Sequence, residues 1–222
     1  MKPIVISLGG SIIVPHEVDY KFLKDFKKAI FSLKRRKIVI CTGGGFIARE
    51  YMAALKKEKL NEYTQDLIGI EATRLNAKLL ASFLEKCNQE IPVTLEGVKE
   101  LLQANDIVVC GGLSTGQTSD GTTATIADYL DSKEMINITN VDGLYDKDPR
   151  KYRNAKFIPK LTHKEFIGIM NRVKKEPGQH FVLDSLAAEI ALKAGIKVII
   201  LKGTKNLKSY ISGKKFKGTT II

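Results

Sequence analysis

Short apolar runs alternate with amphipathic segments along the chain. Ile4–Ser7, Lys37–Cys41, Asp106–Cys110, Met135–Thr139 and Lys197–Leu201 are nearly continuous in apolar residues and bounded by turn residues, a pattern that predicts buried strands. Between them, apolar residues recur at helical spacing. Asp19 is placed to cap a helix to about Lys34, with Phe22, Leu23, Phe26, Ile30 and Leu33 along it. Further helices are expected from near Phe46, and from Thr64 through Leu84 with Leu67, Ile70, Leu75 and Leu79 on one face. Others follow from Thr94 to about Gln103, from about Thr122 to Leu130, from a Thr162–Glu165 capping box to about Met170, and from Asp184 to Gly195. Gly218–Ile222 reads as an edge strand.

Strand–helix alternation predicts an α/β fold, a three-layer αβα sandwich with a largely parallel central sheet. Strands that are apolar throughout need helices on both faces. The chain reads as one domain, 1–222, made of two lobes of about 1–138 and 139–222. The boundary falls near Ile138–Asn140, where a long polar loop begins.

Composition narrows the class. With 222 residues, 44% hydrophobic and 27% charged, the chain can bury a core without disulfide staples. No apolar run reaches the roughly eighteen residues of a membrane span. The opening MKPIVISLGGSIIV interrupts its apolar run with Gly-Gly-Ser and lacks a small-residue cleavage site, so no signal peptide is expected. Cys41, Cys87 and Cys110 have no metal-ligand spacing; a reducing cytoplasm fits, with Cys41 and Cys110 as buried thiols. His16, His163 and His180 have no partner at metal or triad spacing, and no metal site is legible.

Thirty-six basic against 24 acidic residues leave +12, which favours anionic partners, either nucleic acid or phosphorylated small molecules. The lysines after Glu189 are scattered over helix, strand and loop with no interleaved aromatics, which disfavours nucleic acid.

Glycine clusters follow three strands: Gly9-Gly10-Ser11, Gly43-Gly44-Gly45 and Gly111-Gly112. Ligands of open α/β sheets bind beyond the carboxyl ends of the strands, where glycine lets backbone N–H groups approach phosphate. Three such turns at one sheet edge point to several phosphates. No Walker-type loop is present. Gly43-x-Gly45-x-x-Ala48, with Asp66 about twenty residues on, matches the dinucleotide fingerprint of an NAD-type oxidoreductase. That match follows the second strand and leaves the other two clusters unexplained. Arg49 lies one turn into the helix after Gly45, within reach of a phosphate. Leu113–Asp120 is rich in hydroxyls and glycine and suits a loop around a polar ligand, with Asp120 as a helix cap. Thr139–Pro149 offers an aromatic and several carboxylates, and Asp184 opens a late helix.

Taken together, Leu8-Gly9-Gly10-Ser11, Thr42-Gly43-Gly44-Gly45…Arg49, the Asp66–Ala77 helix, Gly111-Gly112…Gly116-Gln117-Thr118, Thr139-Asn140-Val141-Asp142-Gly143-Leu144-Tyr145…Asp148-Pro149 and Leu183-Asp184…Leu186-Ala187-Ala188 make the chain resemble the amino acid kinase family. Within it, the chain is similar to the archaeal-type uridylate (UMP) kinases. The resemblance implies transfer of the ATP γ-phosphate to UMP, with Mg²⁺ carried by ATP, in a cytoplasmic homohexamer. It assigns ATP phosphates to Ser7, Leu8, Gly9, Gly10, Ser11, Gly45 and Arg49, and the adenosine half to Thr139, Asn140, Tyr145 and Asp148. It assigns UMP to Gly44, Asp66 and the loop Leu113, Ser114, Thr115, Gly116, Gln117, Thr118 and Ser119. Asp184, with Arg49, takes the catalytic part. Many relatives carry a lysine where this chain has Ser7; Arg49, Arg74 or Lys202 are the available stand-ins. Other readings are a kinase of the same fold acting on isopentenyl phosphate or an amino acid, and a non-catalytic nucleotide-binding protein. The isopentenyl phosphate kinases carry a Gly-His pair after the triple glycine, where this chain has Phe46-Ile47-Ala48-Arg49.

Overall fold

The computed structural model describes residues 2–33, 36–147, 149, 152–173 and 182–222. Among them, one seven-stranded sheet runs in the order β3-β2-β1-β4-β8-β9-β7. Its strands are β1 (Ile4–Leu8), β2 (Ile38–Thr42), β3 (Ile107–Cys110), β4 (Glu134–Thr139), β7 (Lys160–Leu161), β8 (Lys197–Lys202) and β9 (Gly218–Ile221). Strands β3, β2, β1, β4 and β8 are parallel, β9 runs antiparallel to β8, and β7 pairs parallel with β9. Gly218–Ile221 is therefore not an edge strand. It is flanked on both sides, and the two-residue β7, too short to be read from any periodicity, takes the edge. A separate hairpin joins β5 (Leu144–Tyr145) to β6 (Phe157–Ile158).

Helices cover both faces of the sheet. The pleat sends alternate residues of each strand to opposite sides. Ile4, Ile6 and Leu8 meet α2 (Tyr20–Phe31), α4 (Glu62–Leu84) and α9 (Gly203–Ile211) on one side. Val5, Val39 and Met135 meet α5 (Leu95–Ala104), α6 (Ser119–Tyr129), α7 (His163–Val173) and α8 (Ser185–Ala194) on the other. Each fully buried Leu, Ile or Phe contributes about 1.5–3 kcal/mol to holding these layers together. The remaining helices are α1 (Gly10–Ile13) and α3 (Gly45–Lys57).

The helix starts follow local capping chemistry. Asp19, Thr94 and Asp184 accept from the backbone N–H three residues on, as their sequence positions predict. Thr162 and Glu165 form the expected reciprocal box. Gly195 closes α8 at φ +61°, a left-handed turn that glycine adopts without steric cost. Two expected starts move. α4 begins earlier, because the Asn61 side chain, not Thr64, accepts from the Thr64 N–H at 2.8 Å. α6 begins at Ser119 because Thr118 caps it, leaving Asp120 inside the first turn. The apolar face of α4 also differs from the expectation: Leu67 and Leu75 are exposed, while Ile70, Ala77, Leu80 and Leu84 are buried. The end of the helix expected to reach Lys34 comes at Phe31, and Lys34 itself lies outside the described residues. No described helix is long and apolar enough to cross a membrane.

Candidate active site

Chain order reverses between β1 and β4: β2 and β3 build outward on one side of β1, and β4 and β8 on the other. This switch point leaves a crevice beyond the carboxyl ends of the strands. The glycine turns meet there. Gly9 N donates to the Ile138 carbonyl at 3.1 Å and Gly43 N to the Leu8 carbonyl at 2.9 Å, tying the ends of β4, β1 and β2 together. The first two turns touch backbone to backbone. A Cβ on Gly10 would lie 2.2 Å from Gly45 N, and Gly45 itself has φ +63° with no room for a side chain beside the Gly10 carbonyl. Glycine is required at both positions by contact, and at Gly45 also by conformation.

α4 locks the second and third turns. Asn76, buried, donates to the Gly43 carbonyl at 2.8 Å. Thr73 Oγ1 accepts from Gly112 N at 2.6 Å and donates to the Ile70 carbonyl, while Thr42 Oγ1 donates to the Thr73 carbonyl at 2.8 Å. Gly111 lets the α4 backbone approach, since a Cβ there would stand 2.7 Å from Arg74 N.

Beside these turns lies a cavity of about 460 Å³. Its wall contains Gly44, Asp66 and the whole run Ser114–Ser119, which are residues assigned to the acceptor from sequence. Asp66 Oδ2 accepts from Gly116 N at 2.6 Å, pinning the loop across the cavity. Leu113 is not in the wall; it packs against the core on the α6 side of the sheet. Met52, Glu62, Gly69, Ile70 and Thr73 line the cavity without having been singled out. The N-termini of α3 and α6 both open onto it, at Gly44 and at Thr118-Ser119. Unpaired N–H groups and the helix dipole make such ends anion sites.

Under the crevice sits a polar island that sequence reasoning missed. Ser7 shares a pleat face with Val5 and so points at α6, and Asn137 is its register partner on β4. Ser7 Oγ donates to Asp120 Oδ1 at 2.7 Å, and Asn137 Nδ2 donates to Asp120 Oδ2 at 3.2 Å and to the Val182 carbonyl at 2.7 Å. Thr118 donates to Asp184 Oδ2, and Asp184 Oδ1 accepts from Ala187 N at 2.9 Å. Burial raises the Asp120 pKa to about 6; the Ser7 hydrogen bond opposes the rise, the nearby Asp184 charge adds to it, and Asn137 opposes it. The signal available in the sequence was Asp120 in the first turn after a hydroxyl-rich loop, which an N-cap explains equally well.

The third group of assigned residues lies along the ends of β4 and β8. Thr139 ends β4, in register with Lys202 on β8, and Asn140 follows it, exposed. Tyr145 in β5 is half-buried with its ring 5.3 Å from that of Phe157. Leu144 N donates to Thr219 Oγ1, which fastens this segment to β9. Asp148 lies outside the described residues. Of the three cations considered as stand-ins at Ser7, Arg74 is engaged: it donates to the Gly112 carbonyl and pairs with Glu71 at 2.7 Å. Arg49 and Lys202 are exposed and make no ion pair among the described residues.

The pattern of the amino acid kinase family matches residues 2–202. Uridylate kinase from Thermoplasma volcanium is 40% identical over 99% of this chain and 97% of its own. The protein of the same name from Thermoplasma acidophilum is 36% identical over 99% and 96%. The crystal structure of uridylate kinase from Archaeoglobus fulgidus superimposes with a TM-score of 0.90 at 33% identity, covering all of both chains. A largely parallel sheet whose switch point is closed by two glycine turns packed on each other and a third held by α4, together with these matches along the whole chain, places the protein in the amino acid kinase family.

Proposed function

We propose that the protein is a UMP kinase, carrying the γ-phosphate of ATP to UMP to give ADP and UDP. The observation that carries this reading is the 460 Å³ cavity, whose wall combines Asp66 and the Ser114–Gln117 loop with the N-termini of α3 and α6. A nucleoside monophosphate has the matching parts: ribose hydroxyls for a carboxylate, and a phosphate for helix N-termini. The whole-chain likeness to proteins named uridylate kinase supports the same acceptor.

In this reading Gly44 and Thr118-Ser119 hold the UMP phosphate and Asp66 its ribose. The segment Ser7–Ser11, in which the buried β1 residues Ser7 and Leu8 lead into the Gly9-Gly10 turn, holds the ATP phosphates with Gly45 and Arg49, and Thr139, Asn140, Tyr145 and Asp148 hold the adenosine. Phosphoryl transfer needs in-line placement and neutralisation of spreading charge, with little covalent chemistry. The chain supplies placement through rigid turns whose glycines pack backbone to backbone. Arg49 supplies positive charge from one side and Lys202, in register with Thr139, from the other. UMP is already ionised, so no general base is needed.

Among the described residues no group of three or more His, Cys, Asp or Glu is built to hold a metal ion. Mg²⁺ needs no such cage, because it is commonly bound by one or two carboxylates together with substrate phosphates. Asp184 and Asp120 at the crevice fit that arrangement. When bound, Mg²⁺ neutralises β- and γ-phosphate oxygens. Asp184 also orders Thr118 and the α8 N-terminus. The reading includes a cytoplasmic location, a place in pyrimidine nucleotide synthesis and assembly as a homohexamer.

The test is ADP release from ATP and Mg²⁺ against UMP, CMP, dUMP, isopentenyl phosphate and acetylglutamate. Turnover with UMP far above the rest is expected. Preference for a non-nucleotide acceptor would overturn the acceptor half, and nucleotide binding with no turnover on any of them would overturn the activity.

A further inference from the structure

A second cavity lies away from the crevice, between α2 and the end of α4, with a volume of about 650 Å³. Its wall is built from rings and cations. Tyr20, Lys24, Lys27, Lys28 and Phe31 form one stripe of α2, flanking the buried Leu23, Phe26 and Ile30, and Phe83 faces them from α4. The Tyr20 and Phe83 rings meet edge to face, 5.8 Å apart. The Lys24 ammonium lies 6.0 Å from the Tyr20 centroid. Lys27 pairs with Glu85 at 2.6 Å, while Lys24 and Lys28 make no ion pair among the described residues.

We propose that this cavity is a binding site for a small planar aromatic anion, a flat ring carrying a phosphate or carboxylate. Three features point to that class. Two aromatic side chains stand partly uncovered on the flank of α2 that faces α4, Tyr20 at 62% exposure and Phe31 at 36%. The rings form a concave wall of a volume typical of small-molecule sites, roughly 300–1,000 Å³. The two uncompensated lysines set positive charge at its edge, so the occupant carries negative charge beside an apolar body. A second copy of this chain is the competing occupant, and labelling of the assembled protein separates the two. The site is separate from the acceptor cavity, since Asp66 and Phe83 are about 25 Å apart along α4 at 1.5 Å per residue.

Pyridoxal 5′-phosphate is a direct probe, being an aromatic phosphate with an aldehyde. The aldehyde condenses with a lysine amine, expelling water, and borohydride with a solvent proton reduces the imine to a stable amine that peptide mapping locates. In the assembled protein, Lys24 or Lys28 is expected to be labelled at probe concentrations at least tenfold below those that label other surface lysines. Phenyl phosphate should protect at concentrations at least tenfold lower than inorganic phosphate. Tyr20→Ala and Phe31→Ala, both at exposed positions, should each remove that preference without changing the melting temperature. Labelling in proportion to exposure across the lysines would overturn the proposal. So would equal protection by phenyl phosphate and phosphate, which would leave a plain charge cluster. Labelling that appears only after dilution to protomers would also overturn it, and would assign the face to a second copy.

Discussion

Asp66, Asp120 and Asp184 are three carboxylates with three environments. Asp66 accepts a backbone N–H at the cavity wall, and charge-assisted hydrogen bonds are worth about 1.5–3 kcal/mol. Asp66→Asn should therefore raise KM for UMP by roughly ten- to a hundredfold and leave KM for ATP nearly unchanged. Equal losses on both substrates in steady-state kinetics would remove it from the acceptor site. Asp184→Asn should lower kcat with small changes in either KM, and an unchanged kcat would take Asp184 out of the catalytic group. Asp120 is costly to the fold. Its pKa is raised to about 6, so the folded protein binds a proton there that the unfolded chain has released over roughly pH 4–6. Stability from this group is thus lost as pH rises through that window. Above it the penalty stands at about 2–3 kcal/mol. Asp120→Asn should melt higher than the parent protein at pH 8, with the gap closing toward pH 4, while turnover falls. A lower melting temperature at pH 8 would show that the charge is well compensated.

At the scale of elements, function rests on turns held by side chains from a helix. α4 is the long clamp: Thr73 and Asn76 stand one turn apart and fasten the glycine turns after β2 and β3. Asn76→Ala would leave the Gly43 carbonyl buried without its donor, a loss of about 1–3 kcal/mol measurable by urea unfolding. The Gly10–Gly45 contact is stricter. Gly10→Ala forces a methyl to within 2.2 Å of a backbone nitrogen, so the two turns must separate. The expected outcome is loss of ATP affinity greater than loss of UMP affinity, read by titration calorimetry. Retained ATP affinity would place the ATP phosphates elsewhere.

For the whole molecule, the switch point between β1 and β4 sets where the proposed site lies. It gathers residues from 7 to 202 at one sheet edge, so binding both substrates should stabilise the protein as a unit. At a hundredfold excess over Kd, each ligand should contribute about 2.7 kcal/mol to unfolding stability. UMP with a non-hydrolysable ATP analogue should raise Tm together more than either does alone. No shift with UMP in differential scanning calorimetry would contradict the acceptor assignment.

Features that depend on near neighbours along the chain are readable in the amino-acid order alone. The buried strands follow from short apolar runs. The starts of α2, α5, α7 and α8 follow from a polar residue three before a free N–H, and the end of α8 from Gly195. The glycine turns were also legible, and Asp66 and the Ser114–Ser119 loop, named through the family resemblance, share one cavity wall. Contacts between distant segments were not. Nothing in the chain links Ser7, Asp120 and Asn137 to one another, and only the pleat of β1, the register with β4 and the docking of α6 bring them together. Leu67 and Leu75 sit at helical spacing yet face outward, since the packing partner of α4, not its periodicity, selects the buried stripe. β7 takes the sheet edge through two residues, a length below any periodic signal. Local rules act over three or four residues and can be read directly from the chain. Burial, and the charge states it sets, belongs to pairs that only the folded chain brings into contact.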